Sequence, residues 1–266
     1  MADATVTAVV PAYRAAATLE RALASIAAQT RPPHETLLVD DGNPPEEARR
    51  LAEVAALFPA LRPRVIALGE NRGVGSARNA GWGEARGGLV AFLDADDAWH
   101  PRKLELQSAL MAAAPGVALS GHPVAVLAPG GHLPTEPRGG GGERELRGLR
   151  LLAFNPVTPS SWMVRREEPL RFAEGKRHVE DHLLVMQLSL RGRRLRWFDR
   201  ELAAYFKPAL SRTGLSSELG KMELGELDCY ARLRHERLIG APAWAGLSAL
   251  SLVKFVRRVA VVKLLR

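Results

Sequence analysis

Cysteine occurs once in the 266 residues, at Cys229. That excludes an intramolecular disulfide and any multi-cysteine zinc or iron–sulfur site, and it suits a reducing compartment. Aromatic residues make up only 6% of the chain, and no RNA- or DNA-binding motif accompanies them, which argues against nucleic acid as a partner. No G-x-G-x-x-G follows the first apolar run, so a nicotinamide or flavin cofactor is disfavoured. No G-x-x-x-x-G-K-[ST] occurs, which removes the P-loop ATPases. From Leu238 to Val253 there are 16 uncharged residues, with Gly240, Pro242 and Gly246 among them, short of the ~20 a spanning helix needs. The start, MADATVTAVVP, carries an apolar patch with no basic segment before it, which reads against a secretory signal.

What is present is an ordinary globular composition, 47% hydrophobic and 25% charged, long enough for one large α/β domain. The net charge of +8 is unevenly spread: residues 1–100 hold 10 basic and 13 acidic side chains, while 101–266 hold 27 basic and 16 acidic. A positive field in the second half suits phosphorylated substrates, anionic lipid or nucleic acid, and charge alone does not choose among them.

Four apolar, β-rich runs occupy the first hundred residues: Val6 to Val10, Glu35 to Val39, Arg64 to Leu68 and Leu89 to Leu93. Helical patterns over Ala15 to Ala28, Pro44 to Phe58 and Gly75 to Ala85 separate them. This βαβαβαβ alternation predicts a parallel sheet covered by helices on both faces, with ligands at the carboxyl ends of its strands. Those ends carry Pro11-Ala12-Tyr13, Asp40-Asp41-Gly42, Gly69 to Gly73 and Asp94-Ala95-Asp96-Asp97. Loops are polar everywhere, but four consecutive polar strand ends point to one site.

Further on, 101–111 predicts a helix, 117–127 a strand, 130–142 with its four successive glycines a mobile loop and candidate lid, 160–165 a strand, 178–190 a helix and 195–198 a short strand. The segment from Trp244 to Arg266 mixes Leu, Val and Ala with Lys and Arg. Such a helix can lie on an anionic membrane, pair two subunits, or close the protein's own core.

The acidic turn at 94–97 is chemically suggestive. Closely spaced carboxylates hold a hard divalent cation, Mn²⁺ or Mg²⁺, which in turn holds phosphate oxygens. A solvated turn, or acids favouring the N-terminus of the next helix, explains the same residues without a ligand. His178 and His182 have metal-compatible i, i+4 spacing but no third ligand in sequence. RGRRLRW at 191–197 can grip a phosphorylated acceptor or simply solvate a helix end.

Taken together, VTAVVPAYRAAATLERALASIAAQT, LLVDDG, ENRGVGSARNAG and FLDADDAWHPRKLE resemble, in order and spacing, glycosyltransferase family 2, the inverting enzymes of GT-A fold. The resemblance is strong over about 5–115 and thinner through TPSSWMVRR (158–166), VEDHLLVMQL (179–188) and 205–217. It implies an α/β fold with a Rossmann-like nucleotide-binding sheet, residues 1–115 forming the nucleotide-sugar half, 116–215 the acceptor and catalytic half of the same domain, and 216–266 C-terminal helices.

The resemblance also assigns roles. Pro11, Ala12, Tyr13, Asp40, Arg78 and Asp94 would bind the nucleotide, and Asp96 the metal, Mn²⁺ or Mg²⁺. Asp181 would be the catalytic base. Lys207, Ser211 and Arg212 would close over the diphosphate, although the family's usual Arg-x-His is here replaced by Tyr-Phe-Lys-Pro. Apart from these implied roles, Glu180 is an acceptor-side candidate, and Trp99, just after the acidic turn, either floors the sugar or acceptor site or packs on the sheet. The implied activity is inverting transfer from a nucleotide sugar, a UDP-sugar by expectation, to a hydroxyl on a glycan or lipid-linked acceptor in polysaccharide assembly. The expected location is cytoplasmic, peripheral on the inner membrane face, with homodimerisation through the last helix open. A metal-dependent nucleotidyltransferase and a non-enzymatic basic lipid- or nucleic-acid-binding module are the rival readings.

Overall fold

The computed structural model describes residues 5–206 and 219–264. An eight-stranded sheet runs in the order β3-β2-β1-β4-β9-β6-β10-β8. Its parallel half is β1 (Val6–Ala12), β2 (Glu35–Asp40), β3 (Arg64–Ala67) and β4 (Leu89–Phe92). The helices between them are α1 (Ala16–Ala27), α2 (Pro45–Ala56) and α3 (Val74–Glu84). β9 (Met163–Arg165) then inserts antiparallel between β4 and β6 (Val117–Gly121), so both halves of the chain share one sheet. β10 (Arg194–Phe198) pairs parallel to β6, and β8 (Glu143–Glu145) closes the edge.

The period-2 geometry of strands sorts side chains onto the two faces. Val6, Ala8 and Val10 of β1, with Leu38 of β2, pack under α1, α2 and α4 (Lys103–Ala113). Val9, Leu37 and Val39 face α3 and α6 (Glu180–Leu190) on the other side. In that second layer Trp82, Phe92, Trp162 and Phe172 form an aromatic cluster, Trp162 stacking on Phe172 at 5.5 Å between centroids.

Three sequence expectations need correcting. The strand expected over 117–127 is two strands. His122-Pro123 ends β6, since proline cannot donate to a sheet ladder, and β7 (Val124–Val126) joins a second sheet of order β5-β11-β7 with β5 (Asp97–Trp99) and β11 (Ala203–Tyr205). The 160–165 strand begins only at Met163, because Pro159–Ser161 form a 3-10 turn. The loop over 130–142 is tied down rather than free. Gly140 N donates to Asp199 Oδ2 at 3.0 Å, Gly141 N to the Asp199 carbonyl at 2.9 Å, and the Arg200 guanidinium to the Gly139 carbonyl at 2.9 Å.

A short helix, α5 (Leu149–Ala153), and the hairpin of α7 (Leu219–His235) and α8 (Ala241–Leu264) complete the described chain. They pack through Leu152, Leu183, Met186, Tyr230 and Leu233. Among the described residues no helix is long and apolar enough to cross a membrane.

Candidate active site

The parallel pairing of β2, β1 and β4 brings their carboxyl ends side by side, within about 10 Å across two strand spacings. At the first of these ends Ala12 is in register with Asp40. Asn43 locks that end: its backbone N and Nδ2 donate to Asp40 Oδ1 at 2.8 and 2.7 Å, and Nδ2 also reaches the Ala12 carbonyl at 2.9 Å. Pro11 and Ala12 are buried along the floor, and Tyr13, 42% exposed, stands at the rim with Arg14 over its ring. An open face with one aromatic edge and one oriented carboxylate suits a planar, hydrogen-bonding ligand.

Asp41 does something different. Its two oxygens accept from Arg72 N at 2.8 Å, Gly73 N at 3.0 Å and Asn71 Nδ2 at 3.0 Å, clamping the loop after β3 to the end of β2. Burial raises its carboxyl, against the opposing pull of those backbone donors. Gly42 beside it has φ of +68°, and a Cβ there would run into the Glu70 carbonyl carbon and the Asn71 nitrogen. Only glycine lets the two loops touch.

Arg78, expected beside the nucleotide base, is the fully buried centre of an ion-pair network. Nη2 donates to Asp94 Oδ1 at 2.6 Å, Nη1 to Glu180 Oε1 at 3.0 Å, and the guanidinium lies over Phe172 at 5.4 Å. Burial works against its charge, yet the Asp94 and Glu180 carboxylates win and hold it more firmly protonated than usual. Through this one side chain the end of β4 is joined to the start of α6. The convergence expected of the acidic turn and the Glu180-Asp181 pair is therefore physical.

Glu180 and Asp181 open α6, where negative charge favours the helix dipole. Dipole stabilisation does not exhaust their role. Burial, with Asp181 next to it, pushes Glu180 up to about 7, and burial likewise raises Asp181. Asp181 Oδ2 accepts from Asn155 Nδ2 at 2.8 Å. Asn155 was not read from the sequence, nor was Asn43. A polar residue two positions after a short helix carries no motif, and only the fold shows its partner. Glu180, expected toward the acceptor, is 6% exposed and committed to Arg78.

Trp99, also expected at the acceptor site, is 2% exposed, belongs to the core under the sheet, and spends its indole N–H on the Ser160 carbonyl at 2.9 Å. It offers no surface to a ligand. Ser160 supports the acidic turn instead, its Oγ accepting from Asp94 N at 3.1 Å and donating to Asp97 Oδ2 at 2.5 Å. Nor do the flanking histidines form a pair of ligands: His182 is buried with Nε2 on the Leu151 carbonyl at 2.8 Å. Lys207, Ser211 and Arg212 lie outside the described residues.

The oxygens present fit a hard cation shared with a ligand. Asp94 gives Oδ1 to Arg78 and keeps Oδ2, and Asp96 is partly exposed with its backbone carbonyl held by Arg21 Nη2 at 2.5 Å. Among the described residues no group of three or more His, Cys, Asp or Glu could encage an ion alone. One or two carboxylates completed by phosphate oxygens and water is the usual Mg²⁺ arrangement.

Comparison with known proteins agrees with this architecture. The chain is 46% identical over 99 residues to the succinoglycan biosynthesis protein ExoO of Rhizobium meliloti (strain 1021), covering 37% of this chain and 27% of that protein. It is 32% identical over 111 residues to the UDP-Glc:alpha-D-GlcNAc-diphosphoundecaprenol beta-1,3-glucosyltransferase WfgD of Escherichia coli, 42% of each. The matches thus span well under half the length of these relatives. Staphylococcus aureus TarS 1-349, solved with UDP-GlcNAc, superposes with a TM-score of 0.66 at 19% identity, over 93% of this chain and 71% of that one. The mannosyltransferase PcManGT of Pyrobaculum calidifontis, solved with GDP-Man and Mn²⁺, does so at 0.62 and 18%, over 97% and 74%. Both likenesses support the GT-A fold expected from the sequence. With the glycosyl transferase family 2 description matching residues 7–170, more than half of its length, the chain belongs to that family.

Proposed function

We propose that this protein is an inverting glycosyltransferase that moves a sugar from a nucleoside diphosphate to an acceptor hydroxyl in polysaccharide biosynthesis. The observation that supports the reading is the Asp94–Arg78–Glu180 network, which ties the acidic end of β4 to the residue that precedes Asp181. Family membership and relatives such as ExoO support the reaction class. WfgD, named for a UDP-Glc donor, makes UDP the first nucleotide to test, and its diphosphoundecaprenol substrate makes a lipid-linked acceptor the first acceptor.

In the proposed reaction Asp40 accepts from the base, and Tyr13 covers it at the rim. Asp96, with the remaining oxygen of Asp94, would hold Mn²⁺ or Mg²⁺, which when bound offsets the charge that builds on the departing diphosphate. Asp181 takes the proton of the attacking hydroxyl from the face opposite the leaving group, and a single displacement then inverts the anomeric carbon. Asn155 fixes which oxygen of Asp181 points to the acceptor. Arg78 keeps Glu180 from competing for that proton.

Calorimetry with UDP in the presence and absence of Mn²⁺ tests the donor half, and product analysis tests the chemistry. Metal-dependent UDP binding, lost in Asp96→Ala, with nucleoside diphosphate released on turnover, is expected. Release of pyrophosphate would instead mark a nucleotidyltransferase, and binding to any polynucleotide in a salt-sensitive manner with no UDP affinity would mark the basic module.

A further inference from the structure

A surface helix in a water-soluble protein turns its apolar stripe to the core and its charges outward. Helix α8 does the reverse. Its charged side chains Lys254 and Arg258 turn inward onto α7, where Lys254 Nζ meets Glu226 Oε1 at 2.6 Å and Arg258 Nη2 meets Glu223 Oε2 at 3.0 Å. Ser251 Oγ adds a bond to Glu223 Oε1 at 2.7 Å. Both carboxylates are buried. What faces outward is Leu252 at 47% exposed, Val253 and Val256 at 66% each and Val261 at 45%.

The patch extends past α8. α5 packs against it, with Lys254 Nζ on the Ala153 carbonyl at 2.6 Å and 5.0 Å above the Phe154 ring. Phe154 is 53% exposed and Leu149, at the other end of α5, 74%. The residue after Phe154 is Asn155, the partner of Asp181. The apolar surface therefore borders the acceptor side of the site.

We infer that the outer face of α8, continued by Leu149 and Phe154, is the surface on which this protein lies against an anionic phospholipid bilayer. Two observations select a bilayer over a second copy of the chain. Ala241 to Leu264 holds no acidic residue; Lys254 and Arg258 are spent on Glu226 and Glu223, and Arg257 stands exposed at the patch. Two such faces related by a two-fold axis would set positive against positive, whereas anionic headgroups complement them. The length is also right for lying flat: 24 residues make about 36 Å of helix, whose apolar side sinks to the headgroup boundary while the ion-paired side stays on the protein. This orientation delivers a lipid-borne hydroxyl toward Asp181, but the binding itself requires no donor chemistry.

Vesicle flotation with the full chain tests it, using phosphatidylcholine with and without phosphatidylglycerol and no nucleotide present. Binding to the phosphatidylglycerol vesicles is expected, weakened about tenfold or more by the double substitution Val253→Asp with Val256→Asp, both at exposed positions. Arg257→Glu, at an exposed position, is expected to weaken anionic binding about fivefold or more and to flatten its salt dependence. Circular dichroism and thermal melting of both variants should match the parent. Absence of vesicle binding by the parent, or binding indifferent to all three substitutions, overturns the inference. So does a concentration-dependent dimer in sedimentation that the Val253/Val256 pair of substitutions breaks, which would assign the face to a second copy. Failure of UDP binding leaves this experiment unaffected, so the two readings fail separately.

Discussion

Asn155 donates from Nδ2 to Asp181 Oδ2 at 2.8 Å, which in the proposed reaction leaves Oδ1 for the acceptor hydroxyl. A donor on the charged form also favours it, countering the burial that raises Asp181. Asn155→Ala should therefore lower kcat about tenfold, the worth of one charge-assisted hydrogen bond, with little change in donor KM. It should also move the acid limb of the pH–rate profile upward. Asn155→Asp, which sets a like charge against the base, should be worse. A steady-state series across pH with both variants checks this. A merely structural Asn155 would alter the melting temperature and leave the profile's midpoint in place.

The pH behaviour of the parent follows from the same pair. Burial raises both Glu180, to about 7, and Asp181. If Asp181 is the proposed base it works only when ionised, so the acid limb of kcat/KM should lie above the ordinary carboxylate range near 4. For stability the sign is the opposite. A carboxyl whose folded pKa is raised contributes stability fully present below its unfolded value and lost as pH rises through the folded value. Between about pH 4.5 and 7 the Glu180 contribution should therefore fall with rising pH. Denaturation midpoints across that window, compared with Glu180→Gln, should show the variant with the flatter dependence.

Arg78 is a costly side chain to lose. It is 3% exposed and pairs at once with Asp94 and Glu180. Removing one partner of a buried ion pair leaves uncompensated charge and costs about 3–5 kcal/mol. Arg78→Ala leaves the buried Glu180 and the half-buried Asp94 carboxylates without their shared partner, and its unfolding free energy should drop by about that much. In Arg78→Ala with Glu180→Gln the cost should be smaller, because one of the stranded charges is gone. A double-mutant cycle by chemical denaturation measures the coupling.

Much of this was legible in the chain, and the reason is local pattern. β1, β2 and β4 are near-continuous apolar runs, as strands covered on both faces must be, and α1 and α2 repeat apolar residues at helical spacing, so local pattern and final fold agree. The strand-end carboxylates could be read for the same reason, since the sheet dictates where they emerge. The errors fall where a side chain's partner is distant in sequence. The resemblance implies Arg78 beside the base, but no local pattern announces the carboxylates it pairs with, 16 and 102 residues away. Trp99 follows an acidic turn as a sugar-stacking ring would, yet β5 carries it under the sheet. β5, β8 and β11, three residues each, are too short to show any period at all.

Gly42 offers a test of the loop architecture that is independent of the ion pairs. Its φ of +68° is disfavoured for any residue with a Cβ, and that atom would collide with the backbone of Glu70 and Asn71. The loop after β3 is held there by Asp41, whose oxygens take Arg72 N and Gly73 N just before α3. Gly42→Ala must therefore either strain its own backbone, at about 1–3 kcal/mol, or push that loop away and break the Asp41 bonds. Both routes shift α3, which carries Arg78, so the damage should reach the site as well as the fold. The expected outcome is a lower melting temperature together with weakened nucleotide binding at temperatures where the protein is still folded. Asp41→Asn, which keeps the shape but weakens acceptance from the two backbone N–H groups, should give a milder version of the same pair of effects. Calorimetric titration of UDP into each variant, run beside a thermal melt, measures both at once.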